Sequence, residues 1–249
     1  MPQLKILHTN DLHNRLTTEQ ACFLAARRRA LEGFGFLVDC GDAVSVGNIG
    51  VRPGGEPILE RMSDIGYDLM TAGNREFHFT QYGFLSKLNK AKFPVLSANI
   101  QPREGVKSPV VPSITFKTRD GVRVTYFGLT VPMITERMAA SKISSYIFRD
   151  PISTASELAP LLRMDCDLLV CVSHIGLRKD MELAKRVQGI DIILGGHSHD
   201  TLPEGIIVEG SLIAQTGFWG HYYGVITVDI SEMGKKYGAR LYPFNPPSM

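Results

Sequence analysis

Five apolar runs of this sequence end in side chains that can bind a metal ion. The runs and their polar ends are ILHTNDLH with Asp11 and His13, FLVDCGD with Asp42, LMTAGN with Asn74, LLVCVSH with His174, and IILGGHSH with His197 and His199. Carboxylate, imidazole and amide groups suit divalent ions such as Mn, Fe or Zn, and no thiolate is required. Each pattern alone occurs by chance, but all five in order predict a metal site.

The elements that must position these side chains alternate along the chain. Five segments have helical patterns: Thr18 to Leu31, Glu56 to Ile65, Gln81 to Ala91, Pro151 to Met164 and Arg178 to Gln188. Short β-rich runs lie between several of them, which is typical of an α/β protein with buried sheets. The Pro- and Gly-containing stretch from Gln101 to Asp120 predicts a loop and a hairpin. Because sites in α/β proteins collect at the carboxyl ends of strands, we expect the polar ends to converge.

Composition limits the classes of partner. The 249 residues are 44% hydrophobic, with a formal net charge of +2. A long nucleic acid or a membrane surface would require basic tracts, and the one cluster, Arg27 to Arg29, lies in a predicted helix and is expected to be solvated. Lys5 and His8 interrupt the first apolar stretch, so no signal peptide is predicted. We expect a cytoplasmic protein with reduced, buried cysteines and one domain over residues 1–249.

The ordered blocks resemble the calcineurin-like metallophosphoesterase superfamily. Within it, ILHTNDLH, GNREF and IILGGHSHD are most similar to the catalytic domain of bacterial 5'-nucleotidases. The similarity extends from about Leu4 to Ile230. It implies a four-layer αββα sandwich of two mixed β-sheets flanked by helices, which holds two divalent metal ions.

The resemblance also implies a role for each metal-compatible residue. The implied ligands are Asp11, His13 and His199 for one ion, Asn74, His174 and His197 for the other, and Asp42 as the bridge between them. Two such ions, Mn being the expected metal and Fe or Zn the alternatives, can trap a bridging hydroxide that attacks phosphorus. The implied substrate is a small phosphomonoester or phosphodiester, and a nucleotide is one candidate.

The segment TAGNREFHFT departs from the family's pattern. The usual loop reads Gly-Asn-His-Glu, and in 5'-nucleotidases an aspartate follows three residues after that histidine. Here Arg75 and His78 occupy the two positions. Arginine cannot deliver a proton near neutral pH, but its planar donors can hold a phosphoryl oxygen. Three interpretations stay open: Arg75 acts with His78 as the acid, Arg75 acts alone, or catalysis is lost.

A second departure concerns substrate recognition. The 5'-nucleotidases carry a further C-terminal domain whose aromatic residues clamp the base, and residues 1–249 contain none of it. The segment GFWGHYYG, with Phe218 and Trp219, could stack on a base, but we favour packing against the core or against another subunit. A homo-oligomer is therefore a candidate assembly. The alternative function is a non-catalytic metal- or nucleotide-binding protein.

Four polar residues beside the candidate ligands receive weaker predictions. Asn10, Asp39 and Ser173 could orient ligands, and a turn or capping role is equally compatible with their positions. His8 lies inside the first strand, and we expect a core histidine that bonds to a backbone group.

Overall fold

The computed structural model describes residues 3–231 and 234–244. The helices are α1 (Thr18–Arg29), α2 (Pro57–Ile65), α3 (Gln81–Leu88), α4 (Pro151–Arg163) and α5 (Leu177–Arg186), with a short 3₁₀ turn at Ala139–Lys142. The strands are β1 (Leu4–Thr9), β2 (Gly35–Asp39), β3 (Leu69–Thr71), β4 (Val95–Leu96), β5 (Ile100–Pro102), β6 (Ser113–Lys117), β7 (Arg123–Thr130), β8 (Tyr146–Phe148), β9 (Leu168–His174), β10 (Ile192–Leu194), β11 (Ile206–Val208), β12 (Ser211–Ala214), β13 (Tyr222–Ser231) and β14 (Gly234–Pro243).

Two mixed sheets of six strands organise the described chain. The first has the order β14-β13-β1-β2-β3-β4, in which β1 to β4 are parallel and β13 and β14 are antiparallel additions. The second has the order β11-β12-β10-β9-β7-β6, with four parallel central strands and antiparallel edges. A small pair, β5 and β8, completes the sheets.

Three apolar layers separate the sheets and helices, which confirms the predicted four-layer sandwich. The middle layer contains side chains of both sheets, and each outer layer joins one sheet to its helices. Strand β9 shows the arrangement, because Val170 and Val172 lie in the middle layer while Leu169 and Cys171 face the layer of α4 and α5. Successive side chains of a strand point to opposite faces, so a strand between two cores must be apolar throughout.

All five predicted helices are present, with ends that differ by at most three residues. The largest difference is in α3, which ends at Leu88 rather than Ala91. Helix α1 begins with a capping box, in which Thr17 and Gln20 satisfy each other's backbone N–H groups. The hairpin predicted between Gln101 and Asp120 is present in part: β6 and the start of the turn lie in that stretch, but the partner strand β7 lies beyond it.

One detail of the expectations changes. All four cysteines are free, as predicted, but Cys22 is exposed on α1 rather than buried. Within residues 3–231 and 234–244, no helix combines the length and the apolar composition that a membrane crossing requires.

His8 is buried in β1, but not in the way the sequence predicts. Neither ring nitrogen has a hydrogen-bond partner among the described residues, so the expected bond to a backbone group is absent. The ring fills the space above Gly224 on β13, where a Cβ atom would lie 2.0 Å from Nε2. Burial lowers the pKa of His8 to about 3.

We expect His8 to make the protein sensitive to acid. Below its ordinary pKa of 6.5, the unfolded chain binds a proton that the folded chain does not bind until about pH 3. Acidification from pH 7 to pH 5 should therefore lower the free energy of unfolding by about 2 kcal/mol through His8 alone. Denaturant unfolding at each pH measures how the free energy of unfolding changes with pH. In His8→Leu the slope of that free energy against pH should lack the contribution of His8. An equal slope in the wild type and the variant would contradict the assignment.

Candidate metal centre

The seven candidate ligands follow five parallel strands, three in one sheet and two in the other. Asp11 and His13 follow β1, Asp42 follows β2 and Asn74 follows β3 of the first sheet. In the second sheet His174 ends β9, and the pair His197 and His199 follows β10. The carboxyl ends of both sheets open toward the same place, and the predicted convergence is seen in the structure.

Left-handed backbone conformations direct many of these side chains toward the centre. Five of the seven candidates have φ in the left-handed region: Asp11 at 51°, His13 at 46°, Asp42 at 54°, His197 at 74° and His199 at 59°. Such conformations cost residues other than glycine roughly 1–3 kcal/mol each and concentrate at functional sites. Backbone bonds between the loops hold them, since Asp11 N donates to Gly41 O at 2.9 Å and His13 N to Asp42 O at 3.0 Å.

Glycines next to the ligands allow the loops to approach closely. A Cβ atom at Gly73 would lie 2.3 Å from Asp42 Oδ1, and one at Gly41 would lie 2.8 Å from His174 Nδ1. Side chains at either position would displace a candidate ligand, which explains why glycine precedes Asp42 and Asn74 in the sequence.

One group of ligand atoms surrounds the carboxylate of Asp11. Oδ1 of Asp11 lies 3.2 Å from His199 Nε2 and 3.7 Å from His13 Nε2, and the two imidazole nitrogens are 3.3 Å apart. Asp11 is fully buried. Burial opposes its ionisation, but His199, His174 and Asn10 lower its pKa below the ordinary value. The carboxylate is thus available as a ligand at neutral pH.

A second group adjoins the first and is built around His174. Its Nδ1 donates to Cys40 O at 2.7 Å, which leaves Nε2 directed at Asp42 Oδ1, 3.4 Å away. Burial opposes a charge on His174, but Asp42 and Asp11 raise its pKa to about 10. His197 completes the group, with Nδ1 2.9 Å from Asn74 Oδ1 and its ring 5.1 Å from that of His174.

These donors fit divalent metal ions. Asp11 Oδ1 and His174 Nε2 are buried, face the cluster and have no hydrogen-bond partner in the described part of the chain. Buried polar atoms without partners are rare, and a bound ion would satisfy both. Two three-residue groups have mutual spacings that suit an ion: Asp11, His13 and His199, and Asp11, Asp42 and His174. The carboxylate that these groups share is Asp11, whereas the resemblance implies Asp42 as the bridge.

The two candidate catalytic residues lie in different surroundings. Arg75 is at the edge of the metal centre, with N bonded to Asp42 Oδ1 at 2.8 Å and Nε 3.5 Å from Asp42 Oδ2. Its Nη1 donates to Ser45 O, and the side chain is 38% exposed. The guanidinium group therefore combines contact with a candidate ligand and access from solvent.

His78 is held away from the ligands by its own loop. Nδ1 accepts a hydrogen bond from Thr80 N at 3.0 Å, and the ring stacks on Phe79. A Cβ atom at Gly83 would lie 2.2 Å from Nδ1, so α3 also packs against the ring. Among the described residues, no hydrogen bond or ring contact joins His78 to the seven candidate ligands. These contacts hold the ring within its own loop.

Two buried charged residues that the sequence did not single out hold the Arg75 loop. Glu76 accepts from the backbone N–H groups of Asp42, Gly73 and Val44 at 2.7–3.1 Å, so it ties the β2 and β3 loops together. Burial and the charge of Asp42 raise the pKa of Glu76 to about 7. The sequence could have indicated Glu76 by one feature, which is its position directly after Arg75 in a loop that follows a strand.

Lys87 on α3 supplies the complementary contacts. Its Nζ donates to the carbonyls of Arg75 at 2.6 Å, Gly47 at 2.9 Å and Phe77 at 3.1 Å, and the residue is fully buried. Burial lowers its pKa to about 8. The sequence could have indicated that Lys87 is buried, because this lysine lies next to Leu88 on the apolar side of a helix.

The polar residues beside the candidate ligands form hydrogen bonds within and between the loops. Asn10 donates to Asp11 Oδ2 at 2.8 Å and accepts from Thr216 N at 2.7 Å. Asp39 accepts from Gly41 N, and Ser173 donates to the buried Asp180. Asn10 therefore contacts a candidate ligand directly, Asp39 fixes the backbone next to Asp42, and Ser173 bonds to the side chain of Asp180.

The aromatic residues of the segment GFWGHYYG lie in two places, one in the core and the others beside the metal centre or at the surface. Tyr223 is buried and contacts Phe23 of α1, as the packing interpretation predicts. Phe218 instead stacks on the ring of His199, with centroids 5.0 Å apart, and Trp219 is 39% exposed.

Comparison with known proteins places this geometry in a family. Residues 4–201 match the family model described as calcineurin-like phosphoesterase, and the chain belongs to that family. It is 30% identical to the trifunctional nucleotide phosphoesterase protein YfkN of Bacillus subtilis, over 93% of this chain and 18% of that protein. It is 29% identical to human 5'-nucleotidase, over 93% of this chain and 47% of that protein. The chain spans less than half the length of either relative.

Solved structures show the same fold. A 5'-nucleotidase precursor from Thermus thermophilus superposes with a TM-score of 0.79 at 25% identity, over 97% of this chain and 54% of that one. The calcineurin-like phosphoesterase YfkN structure from Bacillus subtilis gives a TM-score of 0.73 at 23% identity, over 98% and 92% of the two chains. The predicted resemblance to 5'-nucleotidases is confirmed.

The metal content of two variants should identify the shared ligand. If Asp11 serves both groups as the distances indicate, Asp11→Asn should bind neither ion, and Asp42→Asn should retain one ion between Asp11, His13 and His199. Metal analysis after dialysis against Mn would measure both contents. The opposite order, with one ion in Asp11→Asn and none in Asp42→Asn, would make Asp42 the bridge.

Replacing Lys87 should destabilise the loop that carries Arg75. Lys87→Met leaves the carbonyls of Gly47, Arg75 and Phe77 without this donor and the carboxylate of Glu76 without a nearby positive charge. We expect the free energy of unfolding to fall by about 3 kcal/mol. Lys90→Met, which removes only the exposed pair with Glu60, is the matched control and should change stability by less than about 1 kcal/mol. Equal losses in the two variants would refute the network.

Proposed function

We propose that the protein is a dinuclear metal-dependent phosphoesterase that hydrolyses a small phosphomonoester or phosphodiester, with a nucleotide as the leading candidate and Mn as the leading metal. The observation that carries the proposal is the convergence of Asp11, His174 and five further metal-compatible side chains beside an accessible arginine. Family membership and relatives named as nucleotide phosphoesterases support the reaction class. Two divalent ions at this site would supply a nucleophile at neutral pH and polarise the phosphoryl group.

The protein's own contribution begins with Arg75. Its backbone N–H holds Asp42, and its guanidinium group lies at the open side of the centre. A planar fork of donors can bind two oxygens of a phosphoryl group and stabilise the charge that builds on them. Lys87 and Glu76 fix the loop on either side, so the guanidinium group is positioned before the substrate binds.

The surroundings of His78 favour one of the three interpretations of GNREFH. Its Nδ1 is occupied by Thr80, and its ring is enclosed by Phe79 and Gly83. Burial also lowers the pKa of His78, which favours the neutral ring at physiological pH. We therefore propose that Arg75 acts without His78 as the proton donor. Leaving groups that depart without a proton should then be preferred.

A series of aryl and alkyl phosphates of graded leaving-group pKa tests this mechanism. We expect Mn-dependent turnover that rises steeply as the leaving-group pKa falls, and loss of roughly 100-fold or more in kcat/KM in Arg75→Ala. Arg178→Ala, an exposed arginine on α5, is the control. His78→Gln should keep the same dependence on the leaving group. A flat dependence in the wild type that becomes steep in His78→Gln would show that His78 is the acid after all.

The alternative function makes a different prediction in the same experiment. A non-catalytic metal- or nucleotide-binding protein would bind the ions without hydrolysing p-nitrophenyl phosphate or bis-p-nitrophenyl phosphate. Metal content measured on the assayed sample separates this outcome from a poorly loaded enzyme. The ester that is preferred would decide between monoesterase and diesterase activity.

A further inference from the structure

A cavity of about 430 Å³ lies between the start of α1 and the aromatic segment after β12. Arg15, Trp219, His221, Tyr222 and Phe244 contribute its side-chain walls. Its volume falls within the range of roughly 300–1,000 Å³ that small-molecule sites occupy. No acidic side chain lines it in the described part of the chain, so a cationic ligand is disfavoured.

Residues that line the cavity are joined to the candidate metal centre along the chain and by a hydrogen bond. Arg15 follows the candidate ligand His13 by two residues, and Trp219 N donates to Asp11 O at 2.8 Å. The ring of Phe218 lies between the two sites, stacked on His199 and 4.9 Å from the ring of Trp219. A substrate whose phosphoryl group occupies the metal centre could therefore place its other end here.

The walls are held in place without a ligand. The guanidinium carbon of Arg15 lies 4.0 Å from the centre of the Trp219 ring, which is a cation–π pair. Trp219 has φ at 59°, in the left-handed region. The loop after it is fixed because Gln20 Nε2 donates to Gly220 O at 3.0 Å. Arg15 and Trp219 are both exposed, so a strained and braced loop presents a flat aromatic and cationic surface to solvent.

We propose that this cavity binds the planar aromatic part of the substrate, a nucleobase or an aryl group, by stacking on the Arg15–Trp219 pair. The inference rests on the proposed function for the identity of the ligand, but the binding site itself does not. Bases stack on guanidinium planes and on aromatic rings alike, with a gain of about 1–3 kcal/mol per base. Esters with a planar group would then be bound more tightly than esters without one.

Trp219 is the single tryptophan of the chain, so its fluorescence reports on this cavity alone. Titration with adenosine, which has a base and no phosphate, should change the emission in a saturable way. Ribose 5-phosphate, which has a phosphate and no base, should not. Arg15→Gln should weaken adenosine binding about fivefold or more, while Arg29→Gln, an exposed arginine of α1 outside the cavity, should not. Both substitutions lie on the surface, so each variant is expected to fold.

The kinetic counterpart is the ratio of kcat/KM for adenosine 5'-phosphate to that for ribose 5-phosphate. This ratio should exceed one and should fall about fivefold or more in Arg15→Gln. An unchanged emission with adenosine, an equal response to ribose 5-phosphate, or an unchanged ratio would overturn the inference. Absence of turnover on both esters would count against the proposed function only, because the adenosine titration would still decide whether the cavity binds a base.

Discussion

The buried carboxylate of Asp11 is the contact on which the arrangement of the site depends. One oxygen accepts hydrogen bonds from Asn10 of its own loop and from His197 N of the other sheet, and the other oxygen faces His13 and His199. A fully buried carboxylate is stable only when hydrogen bonds and opposite charges compensate for the lost hydration. The loops of both sheets are therefore constrained to reach it, and this brings the other candidate ligands together.

A second pair of buried charges extends this constraint to Arg75. Glu76 collects three backbone N–H groups and Lys87 collects three backbone carbonyls, on adjacent parts of the same loops. Each charge would be costly alone, and each is compensated by polar backbone that would otherwise be unsatisfied. The exposed guanidinium of Arg75 thus rests on a rigid base. This is the arrangement expected where a side chain must meet developing charge without reorganising.

The loop GNREFH shows how two substitutions can have unequal effects. Arg75 keeps its contact with Asp42 and its access to solvent, whereas His78 is enclosed by Phe79, Thr80 and Gly83. The positive charge remains at the centre, and the titratable ring becomes part of the loop's packing. The aromatic segment beside His199 divides in the same way, since Tyr223 packs in the core and Trp219 remains at the surface.

The sequence by itself determined the layers and the set of candidate ligands. Apolar runs closed by Asp, Asn and His indicated strands buried on both faces with a metal site at their ends, because both features depend on local pattern. Two helix ends also have local causes, the side-chain cap of Thr17 at the start of α1 and the left-handed Gly66 after α2. The contacts of Glu76, Lys87 and His78, and the role that each set of contacts allows, were decided only by the tertiary structure. Each role depends on which backbone groups of distant loops lie within hydrogen-bond reach, and on whether a neighbour such as Gly83 leaves room for a ring. Those distances are set by how the two sheets pack, which no spacing along the chain records.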